Sequence, residues 1–441
     1  MSEHIEQTSA TTAPEGAGSA GSVFGPLGRP RLRRMFGAQF LAELGDGISL
    51  VALPLYVWDR TGSEVWTSLT FAVELGLGVV LSVVGGVLAD AFDRRRVLLV
   101  SYLVRASLLV GAFAVDPLLG AVALGVSARA LGMADNPSFD ALVPSQAEGD
   151  LQQIVALRRL VQAVSITIGP GVGGLAVWLI GPRASLLLNA VTFVVAFTIL
   201  VGVRALDVDY ADRREARRGA TVGAAVSELL AGMAVTLRTP GVRRLMPYNV
   251  MIMAQVGLLM AAAVVFYERE LEAADYWFGV AVAGYGIGSA LGLGVAGSRD
   301  ISWPLPRIII VATPFYAVAC AIGAAVEQPA VLAVSWFLWG VLLGPEFVVT
   351  ETFFVTSITE RERGRAFAGL GVANSSGMAL GSLAAAPLLD SFSSRGVILG
   401  TGGAVLLGVL FWLRPAVEGA AWPKGAQMDH DDHSVFDSGA S

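Results

Sequence analysis

Apolar runs of about 18 or more residues, separated by brief polar clusters, recur along this chain. Such runs have the length and composition of membrane-spanning helices. They predict helices over 35–57, 66–89, 97–115, 118–142, 155–180, 183–203, 243–267, 276–297, 306–326, 330–356, 365–390 and 396–414. Most connections are a few residues long. The exception, 204–242, divides twelve helices into two sets of six. Within it, "VGAAVSELLAGMAVTLR" (222–238) is apolar but too short to cross and carries Glu228, so it reads as a helix lying on the membrane face.

Five segments follow. Residues 1–34 are a disordered tail rich in small and polar residues that ends in the basic "RPRLRR" collar. A bundle over 35–203, a linker over 204–242, a second bundle over 243–414 and a polar tail over 415–441 complete the chain. The predicted class is an all-α membrane protein of two six-helix bundles.

Composition and charge add orientation. Only 15% of the 441 residues are charged and 54% are hydrophobic, against about 25% charged in soluble domains. Of the 30 Lys plus Arg, Arg60, Arg183, Arg269 and Arg395 fall in odd-numbered connections, and Arg105 and Arg129 inside helices. The remainder are assigned to the tails and the even-numbered connections. Positive charge concentrates on the cytoplasmic side, so both termini are expected there, in the inner membrane of a bacterial cell.

Several chemistries are excluded. The single lysine, Lys424, cannot complete a phosphate-cradling G-x-x-x-x-G-K-[ST] loop. His4, His430 and His433 lie in the tails, and the lone Cys320 in an apolar run, so no metal site or nucleophile–His pair is expected in the membrane region. The "HDDH" stretch (430–433) reads as a solvated acidic tail. No cofactor, enzymatic activity or nucleic-acid partner is expected; the net charge is −6.

There is an internal echo. A shift of 208 residues carries Gly86 onto Gly294, Pro137 onto Pro345, Gly169 onto Gly377 and Gly173 onto Gly381. Parallel halves of this kind are a transporter architecture. Between the second and third helices stands "GGVLADAFDRRRVLL" (85–99), with five charges between two apolar runs. It resembles the signature loop of the major facilitator superfamily, G-x-L-A-D-x-x-x-R-R/K, at Gly86, Leu88, Ala89, Asp90, Arg94 and Arg95, with Ala91 where a basic residue is usual. Asp93, "LGDGISLVALPLYVWDRTGS" (44–63), "LVRA" (103–106), "NPSFDALVPS" (136–145) and "RGRAFAG" (363–369) are similar to the enterobactin-exporter, secretion-effector and drug-antiporter branch.

The resemblance implies a conformational latch. Gly86 would allow close helix contact, and Asp90 would face the N-terminus of the eleventh helix, near 365, whose dipole favours an anion. The alternative is that these charges enforce topology alone. "SITIGPGVGG" (165–174) resembles the fifth-helix motif of antiporting exporters at Gly169, Pro170, Gly173 and Gly174, with ordinary kinked packing as the alternative.

Ionisable residues at membrane depth are costly. Glu43 and Asp46 share one face of the first helix. Glu74 lies in the second, Arg105 in the third, and Arg129, Asp135 and Asp140 in the fourth; Glu346 and Glu351 lie in the tenth. Asp46 and Arg129 are the leading proton-coupling pair, read either as an acid with a competing cation or as a static ion pair. Glu43 is a second acid, and Glu74 lines the cavity or pairs with Arg105. Met251, Gln255, Trp336, Trp339, Glu346 and Asn374 are candidate substrate-cavity residues, flexible and flat surfaces that suit amphipathic ligands or that serve packing. The expected activity is export of a small amphipathic molecule in exchange for protons by a monomer in the bilayer. An importer, a uniporter or a membrane receptor are the alternatives.

Overall fold

A computed structural model describes residues 24–203, 222–297 and 305–412. The predicted tail over 1–23, the "RREARR" segment of the linker, and the C-terminal tail with Lys424 and "HDDH" lie outside the described residues. So do certain side chains within helices, Asp90 among them.

The described residues form thirteen α-helices and no strand. The first six are α1 (Pro30–Thr61), α2 (Glu64–Ala91), α3 (Arg94–Ala114), α4 (Leu118–Ser145), α5 (Leu151–Ile180) and α6 (Pro182–Val201). Then come the short α7 (Val222–Arg238) and α8 (Pro240–Val265), which runs into a π-helical turn over Phe266–Glu270. The last five are α9 (Tyr276–Gly297), α10 (Leu305–Ala325), α11 (Pro329–Ser357), α12 (Glu360–Ser391) and α13 (Ser394–Trp412). Ten of the described helices are long and apolar enough to cross a membrane, and the chain is a multi-pass membrane protein.

Local chemistry sets the helix ends. α1 begins with Pro30, where a missing N–H costs nothing, so the basic collar is helical and the helix starts five residues before its predicted position. It stops at Gly62, whose φ of +56° is a left-handed cap. The connection after α2 is only Phe92–Asp93, and the Asp93 carboxylate accepts the Arg96 N–H at 3.0 Å, capping α3. α5 starts four residues before its predicted start, which places Arg158 two turns inside it.

Helix packing repeats between the halves. α1 packs on α5 and α6, α2 on α4, and α3 on α4 and α6; likewise α8 packs on α12 and α13, α9 on α11, and α10 on α11 and α13. The glycine echo has a physical basis in this arrangement. A Cβ at Gly173 would lie 2.9 Å from Ile48 Cα of α1, and one at Gly377 would lie 2.8 Å from the Val250 carbonyl oxygen of α8. In each half the glycines of the fifth helix let it seat against the first. Gly86 and Gly294 also correspond, but a Cβ at either would meet open space.

The halves meet through α2 against α12 and α5 against α9. α7 crosses α12 where Gly232 abuts the Arg365 backbone. At the end of the bundle where α1 finishes and α2 begins, Glu64 pairs with Arg269 across the halves. Nearby, Trp178 of α5 makes an edge contact with Tyr276 of α9, which stacks on Trp277.

Candidate functional site

The apolar interior of the first half holds a cluster of charge. Arg105 is 1% exposed. It forms an ion pair with the Asp46 carboxylate and another, at 3.0 Å, with Asp135. Its Nε donates to the Ala128 carbonyl at 2.8 Å, and its guanidinium carbon sits 4.0 Å from the centre of the Phe193 ring. Gly132 makes room for it, because a Cβ there would come within 2.8 Å of the guanidinium. Arg129 donates to Glu74 at 2.6 Å and to the backbone carbonyl of Asp46.

The expected partners are therefore exchanged. The Asp46 carboxylate pairs with Arg105 and not with Arg129, and Glu74 pairs with Arg129 and not with Arg105. Sequence fixes the depth of each residue along its helix. The rotation of α3 and α4 against α1 and α2 decides which guanidinium reaches which carboxylate.

A second cluster was missed. Arg158 of α5 is 6% exposed and pairs with Glu43 and with Asp140, both at 2.7 Å. Glu43 also accepts from Gln39 Nε2 at 2.9 Å, and Tyr102 donates to Gln39 Oε1 at 2.9 Å. By the charge count, Arg158 reads as one of the cytoplasmic-side cations. The signal that could have found it is Glu43, a buried acid left without a cation.

The first cluster, and Glu43 of the second, face one cavity of about 350 Å³. It falls in the range of small-molecule sites. The first half supplies Glu43, Asp46, Glu74, Arg105, Arg129, Asp135, Gln162 and Pro170; the second half supplies Met260, Val282 and Tyr285. One carboxylate oxygen each of Glu43 and Glu74 is buried with no hydrogen-bond partner among the described residues.

None of the six expected cavity residues of the second half lines this space. Gln255, Trp336, Trp339 and Glu346 are buried in that half's own core. Gln255 hydrogen-bonds Tyr316, and Asn374 hydrogen-bonds Asn249. Met251 packs where a Cβ at Gly408 would meet its sulfur. Their helices are the expected ones, but the faces that carry them turn inward. Tyr267 is likewise fully buried.

At the loop after α2, Arg94 donates to the Ala141 carbonyl at 2.6 Å and Arg95 to the Val201 carbonyl at 2.9 Å. Both cap the carbonyl-rich ends of helices, α4 and α6, where a cation is favoured. The close approach expected at Gly86 falls one residue earlier, where Gly85 rests on the backbone of Ala134. The fifth-helix motif has two faces. Gly169 and Gly173 seat on α1 within the half, whereas a Cβ at Gly174 would lie 3.0 Å from Gly279 Cα of α9 in the other half.

Two like-packed groups of helices enclosing a charged cavity at their junction define a helical membrane transporter. The family profile described as Major Facilitator Superfamily matches residues 35–267 and 245–435, and the chain belongs to that family. It is 24% identical over 371 residues to the multidrug efflux pump Tap of Mycobacterium tuberculosis (strain ATCC 25618 / H37Rv), covering 80% of this chain and 86% of that one. Against Tap of Mycolicibacterium fortuitum it is 24% identical over 378 residues, covering 82% and 90%. Among solved structures, the nucleoside transporter NupG superposes with a TM-score of 0.72 at 12% identity, covering 88% of this chain and 100% of that one. The peptide transporter POT in complex with alafosfalin gives 0.69 at 15% identity, covering 89% and 95%.

Proposed function

We propose that this protein is a proton-driven exporter of small amphipathic organic molecules, working as a single chain in the cell membrane of a bacterium. In this reading twelve helices cross the bilayer, with both termini cytoplasmic. The bundles over 35–203 and 243–414 rock about the cavity, and the linker over 204–242 connects them. Similarity to multidrug efflux pumps supports the outward direction.

The observation that carries the reading is a charge imbalance. Among the described residues, the cavity acids Glu43, Asp46, Glu74 and Asp135 pair with Arg105, Arg129 and Arg158, and Arg158 is shared with Asp140, whose side chain is 57% exposed. One carboxyl in excess, in a place where uncompensated charge is costly, calls for a proton or for a cationic guest. Exchange of one for the other is antiport. Asp46, whose side chain is 31% exposed against 5% for Asp135, is the more accessible acid on Arg105 and cycles its proton.

The test is proton release from the purified protein in weakly buffered solution, screened over a panel of amphipathic amines and neutral drugs. Compound-dependent release that saturates is expected. Saturable binding without any proton release would leave the uniporter reading in its place.

A further inference from the structure

The second half holds an acid that the site above does not use. Glu346 of α11 is 9% exposed, and the Tyr248 hydroxyl donates to its Oε1 at 2.7 Å. Among the described residues no ion pair reaches it, and the only specific interaction acting on it is that hydrogen bond. The acids that line the first half's cavity differ, for each of them touches a guanidinium.

The ionisable groups turned toward Glu346 from neighbouring helices are Tyr248 of α8, Tyr285 of α9 and Tyr316 of α10, with Cys320 beyond Tyr316. All four are neutral near pH 7 by their ordinary titration ranges. α13 contributes Val405. The adjoining cavity is about 10 Å³, room for about one water, so no organic cation fits beside the carboxylate. A bare carboxylate in such a place is strongly disfavoured. Of the counter-ions small enough, a proton is the one that needs no further oxygen ligands around it.

The position joins this acid to the transport cavity. Tyr285 lines the large cavity, and its ring centre lies 4.8 Å from that of Trp339, which lines the small cavity with Glu346. A single aromatic layer separates the two. Tyr285 also belongs to α9, one of the helices at the junction of the halves.

We propose that Glu346 is a second proton-binding site, independent of the arginine-paired acids, which is protonated in the described conformation and loses its proton when the Tyr285–Trp339 layer parts. The step is one proton leaving the carboxylic acid to cavity water, with no other bond made or broken. The inference rests on the antiport reading for its place in the cycle, though not for the protonation state itself.

The ligand is the proton, so the full-length chain in lipid is titrated without any transported compound. Infrared difference spectra between the unsubstituted protein and Glu346→Gln are expected to show one protonated-carboxyl C=O band at neutral pH that the variant lacks. A carboxylate band in its place overturns the proposal. If Glu346→Gln does not fold, Tyr248→Phe in chain carrying isotope-labelled glutamate is expected to shift that same band, and an unmoved band overturns the proposal. Cysteines at 65 and 274, spin-labelled on opposite halves, report conformation. Their distance is expected to change with pH in the unsubstituted background and to stay at its low-pH value in Glu346→Gln. A pH response that survives in Glu346→Gln overturns the role in the cycle. Failure of the antiport reading shows separately, as absence of compound-driven proton release from the unsubstituted protein while the infrared band is present.

Discussion

Arg105 and Asp46 touch each other but have different duties. Arg105 is enclosed by Asp46, Asp135, the Ala128 carbonyl and Phe193, so its removal leaves buried acids without a cation. Arg105→Met is expected to destabilise the folded chain by about 3–5 kcal/mol, and adding Asp135→Leu should recover much of that. Thermal melting of the three proteins in detergent checks this; equal melting temperatures would mean that the cluster contributes nothing to stability. Asp46→Asn preserves the shape and a hydrogen bond to Arg105 but cannot cycle a proton. It should stay folded and lose accumulation of substrate against a gradient, measured in vesicles with an imposed pH difference. Full accumulation by that variant would take Asp46 out of the coupling.

At the scale of the element, α5 separates two effects that its motif merges. Gly173 lies against Ile48 of the same half, and Gly174 lies against Tyr276 and Gly279 of the other. A side chain at either must push a helix away, but not the same helix. Gly173→Leu should lower the yield and melting temperature, by about 1–3 kcal/mol of overpacking strain, with coupling intact in whatever folds. Gly174→Leu should disturb the seal between halves instead. In vesicles loaded with a pH dye, it is expected to leak protons without any added compound. Tight vesicles from well-folded Gly174→Leu would assign the motif to packing alone. The glycine pair before the signature loop divides in the same way: a leucine at position 85 meets the Ala134 backbone, whereas one at 86 meets open space. Gly85→Leu, and not Gly86→Leu, should therefore weaken the α2–α4 contact and the melting temperature with it.

For the whole molecule, the proposed rocking of the halves makes their contacts the control on which side of the cavity opens. The Glu64–Arg269 pair lies at one end of that junction, with the Arg269 side chain 63% exposed. Exposed pairs contribute about 0–1 kcal/mol. Arg269→Gln is accordingly expected to raise the population open at that end by at most about fivefold, and less in high salt. Spin labels at 65 and 274 would report it. A complete switch of the distance distribution would show that this pair dominates the equilibrium, contrary to its exposure.

Much of this architecture was legible in the chain. Apolar runs fix helices because a helix alone satisfies its own backbone in lipid. The helix expected over 222–238 coincides with α7. The depth of Asp46, Glu74, Arg105 and Arg129 follows from helix rise. What sequence could not supply is azimuth. Which face of α3 meets α1 is decided by side-chain packing between distant segments, and that alone chose Arg105 for Asp46 and Arg129 for Glu74. The same rotation turned Trp336, Trp339 and Glu346 into the core of their half and left Met260, Val282 and Tyr285 on the cavity. Arg158 was hidden for a related reason. A cation near a helix end reads as solvated until tertiary packing brings Glu43 across to meet it. The sequence by itself determined the helices, their order and the depth of Asp46, Glu74, Arg105 and Arg129. Only the tertiary structure decided which charges touch, because contact between helices depends on rotation about their axes, a coordinate on which local sequence has almost no hold.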